Sequence, residues 1–121
     1  MNSSELRGFL TGLILGDGSI DKGVTKRAFR IKSTHPDFLS FIQDNLEQCS
    51  NFDIRVKSYP MRKSKDCIHR SYSELIIGAH PYFAKKYHHF YDDYRRRVVS
   101  KEAYTWVNDI GLAAWYMSDG Y

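Results

Sequence analysis

Three glycines at four-residue spacing lie inside an apolar segment near the start of the chain, residues 6–20, which read LRGFLTGLILGDGSI. Leucine, isoleucine and phenylalanine recur in this segment at helical spacing, which predicts an α-helix with an apolar face. In such a helix Gly8, Gly12 and Gly16 fall on one stripe. Because each glycine in a helix costs about 1 kcal/mol relative to alanine, the stripe predicts that another backbone packs closely against this helix.

The same segment runs directly into Asp17-Gly18, so a carboxylate is expected at the C-terminal tip of the helix. The negative end of the helix dipole lies there and disfavours a negative charge. We therefore expect a cation close to Asp17. At the other end of the helix, Ser3 or Ser4 is predicted to be the N-cap.

Composition limits the classes of protein to which the chain can belong. Its 121 residues are enough for one domain with its own core, and 42% hydrophobic with 26% charged residues is typical of a globular protein. A net charge of +4 with a pI near 9.1 favours a nucleic-acid partner. Two cysteines, Cys49 and Cys67, fit neither a disulfide framework nor a zinc site. With no signal peptide and no membrane-spanning run, we expect a soluble intracellular protein without a membrane partner, its compartment left open.

Beyond residue 20, strand-like and helix-like segments follow one another in a regular order. A hairpin is expected to turn at Asp21-Lys22-Gly23, and a helix is expected to begin at Pro36 and again at Pro81. The order α-β-β-α-β-β-α-α predicts an α+β fold around one four-stranded antiparallel sheet. The predicted bounds are 18–78 for the sheet, with a basic connection at 62–66 and a strand at 68–77, and 36–49, 81–92 and 107–120 for the later helices.

The end of the chain restates its beginning. Ser118-Asp119-Gly120 follows an apolar segment as Gly16-Asp17-Gly18 does, and aligning the two acids places Ala114 opposite Gly12. Small residues therefore recur at matching positions of both predicted helices. Two such helices can cross with their backbones nearly touching and deliver both aspartates side by side.

In these two motifs the chain resembles the LAGLIDADG homing endonucleases. LTGLILGDG at 10–18 keeps six of the nine motif letters, and LAAWYMSDG at 112–120 keeps four and is similar to the second motif of single-chain members. The chain is similar to the N-terminal half of such a two-motif protein. The resemblance implies a homing-endonuclease-like αββαββα unit at 1–105, followed at 106–121 by the second motif helix, where a second, absent domain would begin.

The resemblance also implies an activity, a cofactor and a set of site residues. It implies a site-specific double-strand DNA endonuclease, or its N-terminal half or a split fragment, which hydrolyses phosphodiester bonds with a divalent metal, Mg2+ or Mn2+. The implied partner protein is a complementary C-terminal half or a second copy of the chain. The implied residues are Asp17 and Asp119 as catalytic metal ligands, the carbonyls of Gly16 and Ser118 as further ligands, Arg97 as the basic catalytic residue, and Gly8, Gly12, Gly16, Ala114 and Ser118 at the helix interface.

The implied DNA target is long and double-stranded, and a basic face of the sheet binds it in the major groove. Arginine and lysine on strands can reach guanine edges there, whereas basic loop residues contact phosphates and set the salt dependence. The residues assigned to the groove are Arg30, Lys32, Arg55, Lys57, Arg70, Tyr72 and Glu74, and those assigned to phosphates are Lys22, Lys26, Arg62, Lys63 and Lys65.

Two other functions compete with the endonuclease. The first is a binding-only relative, an intron RNA maturase or a LAGLIDADG-type transcription regulator, against which the two retained acids argue. The second is a small α+β protein-interaction domain, which predicts no salt-sensitive DNA binding.

Overall fold

The computed structural model describes residues 1–22, 27–48 and 51–119, and for His69 and Asp119 it describes the main chain alone. The fold is α+β with a four-stranded antiparallel sheet, so the predicted fold class is confirmed. The elements are α1 (Ser3–Leu15), β1 (Ser19–Ile20), β2 (Phe29–Ser33), α2 (Pro36–Leu46), β3 (Ile54–Tyr59), β4 (Arg62–Ser64), β5 (Cys67–His69), β6 (Tyr72–Ile77), α3 (Pro81–Lys86), α4 (Lys101–Thr105) and α5 (Asp109–Asp119), with a 3-10 turn at Tyr87–His89.

The register of the sheet separates an apolar face from a basic one. The strand order is β1-β2-β6-β3, and every neighbouring pair is antiparallel. Phe29 pairs with Ile77 on the face that the helices cover, while Lys32 and Lys57 both pair with Glu74 on the other face. Directly paired residues share a face, so the alternation of apolar and basic residues becomes two chemically distinct surfaces. We call the second one the outer face of the sheet.

One difference from the sequence prediction concerns residues 62–77. The predicted basic connection at 62–66 contributes strand β4, and the single strand predicted at 68–77 is divided into β5 and β6. Tyr59 pairs with Tyr72, and Arg62 pairs with His69, so the register is the same on both sides of a short unpaired interval. Strands β3 to β6 therefore form one long hairpin, which we call the ribbon (54–77). Its tip was missed because β4 has no apolar alternation.

The predicted helix ends also need correction. Helix α1 is capped by Asn2 and not by a serine: the Asn2 side chain accepts from the Glu5 amide at 2.8 Å, and the Glu5 side chain returns the interaction. Helix α2 ends at Leu46, short of the predicted residue 49, which lies outside the described residues. Helix α3 ends at Lys86 and not at 92, where the chain tightens into the 3-10 turn and buries Tyr87, Phe90 and Tyr91.

Two further differences concern connections. The Asp21 amide donates to the Ala28 carbonyl at 2.8 Å, so Asp21, which was predicted to begin the turn, is still paired with the opposite arm of the hairpin. Gly23 and Lys26 lie outside the described residues. The short helix α4 was not predicted; it begins after Ser100, whose hydroxyl accepts from the Ala103 amide at 3.1 Å.

Helices α1 and α5 cross at a point where glycines of both helices face each other. A Cβ atom at Gly12 would overlap the carbonyl of Gly111, and a Cβ atom at Gly111 would overlap the carbonyl of Gly8. The Asn108 side chain fills the space beside Gly8 and donates to the Glu5 carbonyl at 3.2 Å. No β-carbon fits between these two backbones, so the crossing depends on the glycines.

The core lies between this helix pair and the apolar face of the sheet. Phe29 and Phe83 stack with ring centroids 5.7 Å apart, which fastens α3 to β2. Ala114 of α5 and Phe9 of α1 are fully buried. Within the described part of the chain, no helix is long and apolar enough to cross a membrane.

We expect Gly12→Ala to destabilise the fold by about 1–3 kcal/mol, because its methyl group would overlap a main-chain carbonyl that cannot move alone. Gly8→Ala should cost less, since the Asn108 side chain can rotate away. Urea denaturation measures both. Ser4→Ala, an exposed change in the same helix, is the control and should stay within about 0.5 kcal/mol. A Gly12→Ala protein as stable as the wild type would contradict the close crossing.

Candidate active site and nucleic-acid interface

The acid at the end of α1 is tied to the end of α5. After the helix the Gly18 amide donates to the Leu13 carbonyl at 2.7 Å, which turns the chain sharply. The Asp17 amide donates to the Ser118 hydroxyl at 2.5 Å. Asp119, the next residue after Ser118, is the last residue of α5. The main chains of the two aspartates are thus brought to the same end of the helix pair, as the aligned motifs predict.

The Asp17 side chain is exposed and opens onto two concavities. Among the described residues its carboxylate has no hydrogen bond and no ion pair. One cavity of about 660 Å3 is lined by Asp17 and Ser118 together with Arg62 and Arg70 of the ribbon. A second, of about 670 Å3, runs from Asp17 along the outer face of the sheet. A free carboxylate therefore stands where the motif helices, the ribbon and the basic face meet.

The donors at this end suit a hard divalent cation. The described residues contain no group of three or more histidine, cysteine, aspartate or glutamate side chains that could enclose a metal. Mg2+ does not need such a cage, because it keeps several waters and is commonly held by one or two carboxylates together with substrate phosphate oxygens. The Ser118 hydroxyl accepts from the Asp17 amide, and the Ser118 carbonyl is a further candidate oxygen ligand.

Arg97 lies against the end of α1. Its guanidinium donates to the Ile14 carbonyl, to the Gly18 carbonyl at 2.9 Å and to the Tyr91 hydroxyl at 3.3 Å. The last carbonyls of a helix have no donor within the helix and carry the negative end of its dipole. A cation close to Asp17 was expected on this ground, and the structure places an arginine of the chain itself beside that helix end.

The loop before Arg97 is organised by Asp92. Its carboxylate accepts from the amides of Tyr94 and Arg96 and from the Arg96 side chain, each at 2.9 Å. These donors, the Arg96 amide first among them, lower the pKa of Asp92 below its ordinary value of 3.8. Arg95 takes a left-handed backbone with φ of 63°, which completes the tight turn.

The outer face is basic but partly neutralised. Arg30 contacts Asp21 at 2.9 Å and Glu74 at 3.3 Å, and Lys32 lies 4.0 Å from Glu74. The hydrogen bond to Asp21 is the main reason why the pKa of Arg30 is raised. Glu74 points to this face, as the alternation predicts, yet it is only 5% exposed because these long cationic side chains cover it.

Other cations of the predicted DNA surface stay exposed. Arg55 is paired with Asp53 at 3.0 Å. Lys26 lies outside the described residues. Within that predicted set, the exposed cations that form no ion pair with another described residue are Lys22, Lys57, Arg62, Lys63, Lys65 and Arg70.

Sequence reasoning missed some residues of this region. Tyr59 stacks on Tyr72 with ring centroids 4.8 Å apart, so a pair of aromatic rings stands on the outer face where the ribbon begins to extend. Gly111, not only Ala114, faces α1. The three-residue spacing of Gly111 and Ala114 puts both on one side of a helix and could have indicated this. Tyr91 gave no sequence signal, because its hydroxyl acts through contacts distant along the chain.

Comparisons with known proteins agree with this geometry. Residues 7–121 match the profile of the LAGLIDADG DNA endonuclease family. An uncharacterized protein of Methanocaldococcus jannaschii is 25% identical over 119 residues, which are 98% of this chain and 44% of that protein. The structure of the homing endonuclease I-WcaI bound to its DNA recognition sequence matches with a TM-score of 0.79 at 18% identity, over 97% of this chain and 51% of that chain. This second likeness shows the fold alone, and the chain spans about half the length of both proteins.

The lowered pKa of Asp92 predicts how the loop responds to acid. A carboxyl group with a lowered pKa in the folded state contributes stability above its ordinary pKa and loses it as the pH falls through the lowered value. We expect the Tyr94 and Arg96 amide resonances to shift together below pH 3.8, in a step that Asp92→Asn removes. Asp93→Asn, on the neighbouring exposed acid, is the control. Titration of these amides at or above the ordinary value would show that the hydrogen bonds are absent in solution.

Proposed function

Because the chain belongs to the LAGLIDADG DNA endonuclease family, we propose that it is a site-specific double-strand DNA endonuclease or the N-terminal half of one. The observation that carries this proposal is the exposed carboxylate of Asp17, which forms no ion pair with a described residue and lies at the meeting point of the motif helices and a basic surface. A protein that only binds DNA gains nothing from a negative charge in that position, since the carboxylate repels phosphate.

DNA is the partner that this surface favours. The exposed lysines and arginines continue from the outer face of the sheet onto β4 and β5, the tip of the ribbon. A two-stranded ribbon fits the major groove. Their number and exposure support phosphate contacts that raise affinity without reading sequence. The stacked pair Tyr59 and Tyr72 adds a polar-tipped aromatic surface among them.

For cleavage we propose Asp17 and Asp119 as the metal ligands, with the carbonyls of Gly16 and Ser118 as further oxygen donors. A bound Mg2+ or Mn2+ would help to deprotonate the attacking water and offset charge on the phosphate and the leaving 3′ oxygen. The chain itself fixes the position of its acid, because the Asp17 amide is held by Ser118. Arg97 is the basic residue of the site, and its guanidinium contacts the main chain on both sides of Asp17.

A complete target site requires a second sheet, which we propose comes from a complementary half or from a second copy. Helix α5 supports this, since Leu112 is 57% and Tyr116 is 74% exposed on one side of it. Apolar side chains one helical turn apart are suited to packing against another helix or sheet.

We expect Asp17→Asn to abolish metal-dependent cleavage while DNA binding persists. The experiment selects bound duplexes from a random pool and measures nicking of supercoiled plasmids carrying them, with Mg2+ and with EDTA. Loss of a ligand charge should lower the rate at least about 100-fold, which is about 2.7 kcal/mol. Asp44→Asn, an exposed acid of α2, is the matched control.

The outcome also separates the alternatives. A wild-type protein that binds DNA but does not nick it, even with a complementary half added, would establish the binding-only relative. A protein without salt-sensitive DNA binding would refute both nucleic-acid functions.

The role of the outer face is tested by salt dependence. We expect Lys57→Met to weaken DNA binding and to reduce the slope of log affinity against log salt by up to about 0.9, because a cation held in the groove also displaces counterions from the neighbouring phosphates. Fluorescence anisotropy at several salt concentrations measures this slope. Lys85→Met is the control, since Lys85 is exposed on α3 and that helix packs against the opposite face of the sheet. Equal slopes for the two variants would remove Lys57 from the interface.

A further inference from the structure

The contacts of Arg97 lie on both sides of Asp17 along the chain. One end of the guanidinium holds the carbonyl of Ile14, three residues before the acid, and the other holds the carbonyl of Gly18, one residue after it. The main chain that carries the acid is therefore clamped from both directions by a single side chain. Such a clamp limits the backbone freedom of the loop without touching the carboxylate.

Tyr91 extends this clamp into the sheet. Its buried hydroxyl accepts from the Ile20 amide at 3.0 Å and from Arg97 at 3.3 Å. Tyr91 and Arg97 also pair through their main chains, and the guanidinium lies 5.2 Å from the centroid of the Tyr91 ring. The end of α1, the start of β1 and the turn before α4 are thus joined through one guanidinium and one phenol.

We propose that Arg97 and Tyr91 are positioning residues, which hold the Asp17 loop in place for metal binding, and that Arg97 does not contact the reacting phosphate. This inference rests on the proposed function of Asp17. Three of the five N–H donors of Arg97 are taken by acceptors of the chain itself. A planar fork of donors suits this task, whereas an ammonium group is a point charge that cannot reach the separate acceptors in the same way.

The two roles predict opposite effects for a conservative change. A cation that acts on phosphate is served by lysine as well as by arginine, so Arg97→Lys would retain most activity. A cation that must bond Ile14, Gly18 and Tyr91 together is not replaced by lysine. In that case Tyr91→Phe, which changes no charge, should reproduce part of the effect.

The experiment compares the full chain with Arg97→Lys, Tyr91→Phe and the control Arg95→Asn. The control removes a charge from the same loop, and asparagine tolerates the left-handed backbone there. Three quantities are measured well below the unfolding temperature: hydrogen exchange of the Gly18 and Ile20 amides, Mn2+ affinity from paramagnetic broadening around Asp17, and nicking of selected plasmids.

We expect Arg97→Lys to speed exchange of the Gly18 amide at least tenfold and to weaken Mn2+ binding about tenfold, in the range seen when groups that orient a metal ligand are removed. Tyr91→Phe should speed exchange of the Ile20 amide at least tenfold. The control should stay within twofold in all three measurements, and DNA affinity should change little in any variant.

Wild-type exchange and Mn2+ affinity in Arg97→Lys, with nicking retained, would overturn the proposal. If Arg97→Lys does not fold, Tyr91→Phe decides the question with the same measurements. If the wild-type chain binds no Mn2+, or Asp17→Asn binds it equally well, the proposed function fails, whereas the exchange rates still establish or refute the clamp.

Discussion

The contact between the backbones of α1 and α5 is the constraint on which the rest of the structure depends. Gly12 and Gly111 leave no room for a side chain between the helices, so the two axes come as close as main-chain atoms allow. Only at this separation can the Ser118 hydroxyl reach the Asp17 amide. The chemistry proposed for this end of the molecule is thus a consequence of missing β-carbons along the helices. The conformational cost of the glycines is offset by the burial of the crossing.

The packing of helices on the sheet also decides where its charged residues lie. Helices cover one face of the sheet. The cationic residues that alternate with apolar ones along each strand therefore point to the outer face. Glu74 lies within that row of cations and lowers their mutual repulsion, which lets Arg30 and Lys32 stand close together. The far part of the ribbon then carries further cations, which form no ion pair among the described residues, past the end of the sheet to the cavity beside Asp17. The cations that can bind phosphate and the acid Asp17 therefore lie around the same cavity.

The end of α1 poses an electrostatic difficulty, because free carbonyls and a carboxylate accumulate there. Arg97 offsets this negative potential by donating to two of these carbonyls. A turn that Asp92 stabilises holds Arg97 in position. This arrangement links residues that are about 80 positions apart in the sequence. A basic residue ahead of the second motif therefore has a physical reason to be present whether or not it meets DNA.

The sequence by itself determined the fold class, the apolar and basic faces of the strands, and the pairing of two small-residue helices that end in aspartate. These features follow from local periodicity, which a sequence displays directly. Only the tertiary structure decided that the basic segment after Tyr59 becomes a ribbon, that Glu74 is buried, and that Arg97 turns towards carbonyls of α1. Each of these depends on which neighbours the register and the helix crossing supply, and no local pattern encodes those neighbours.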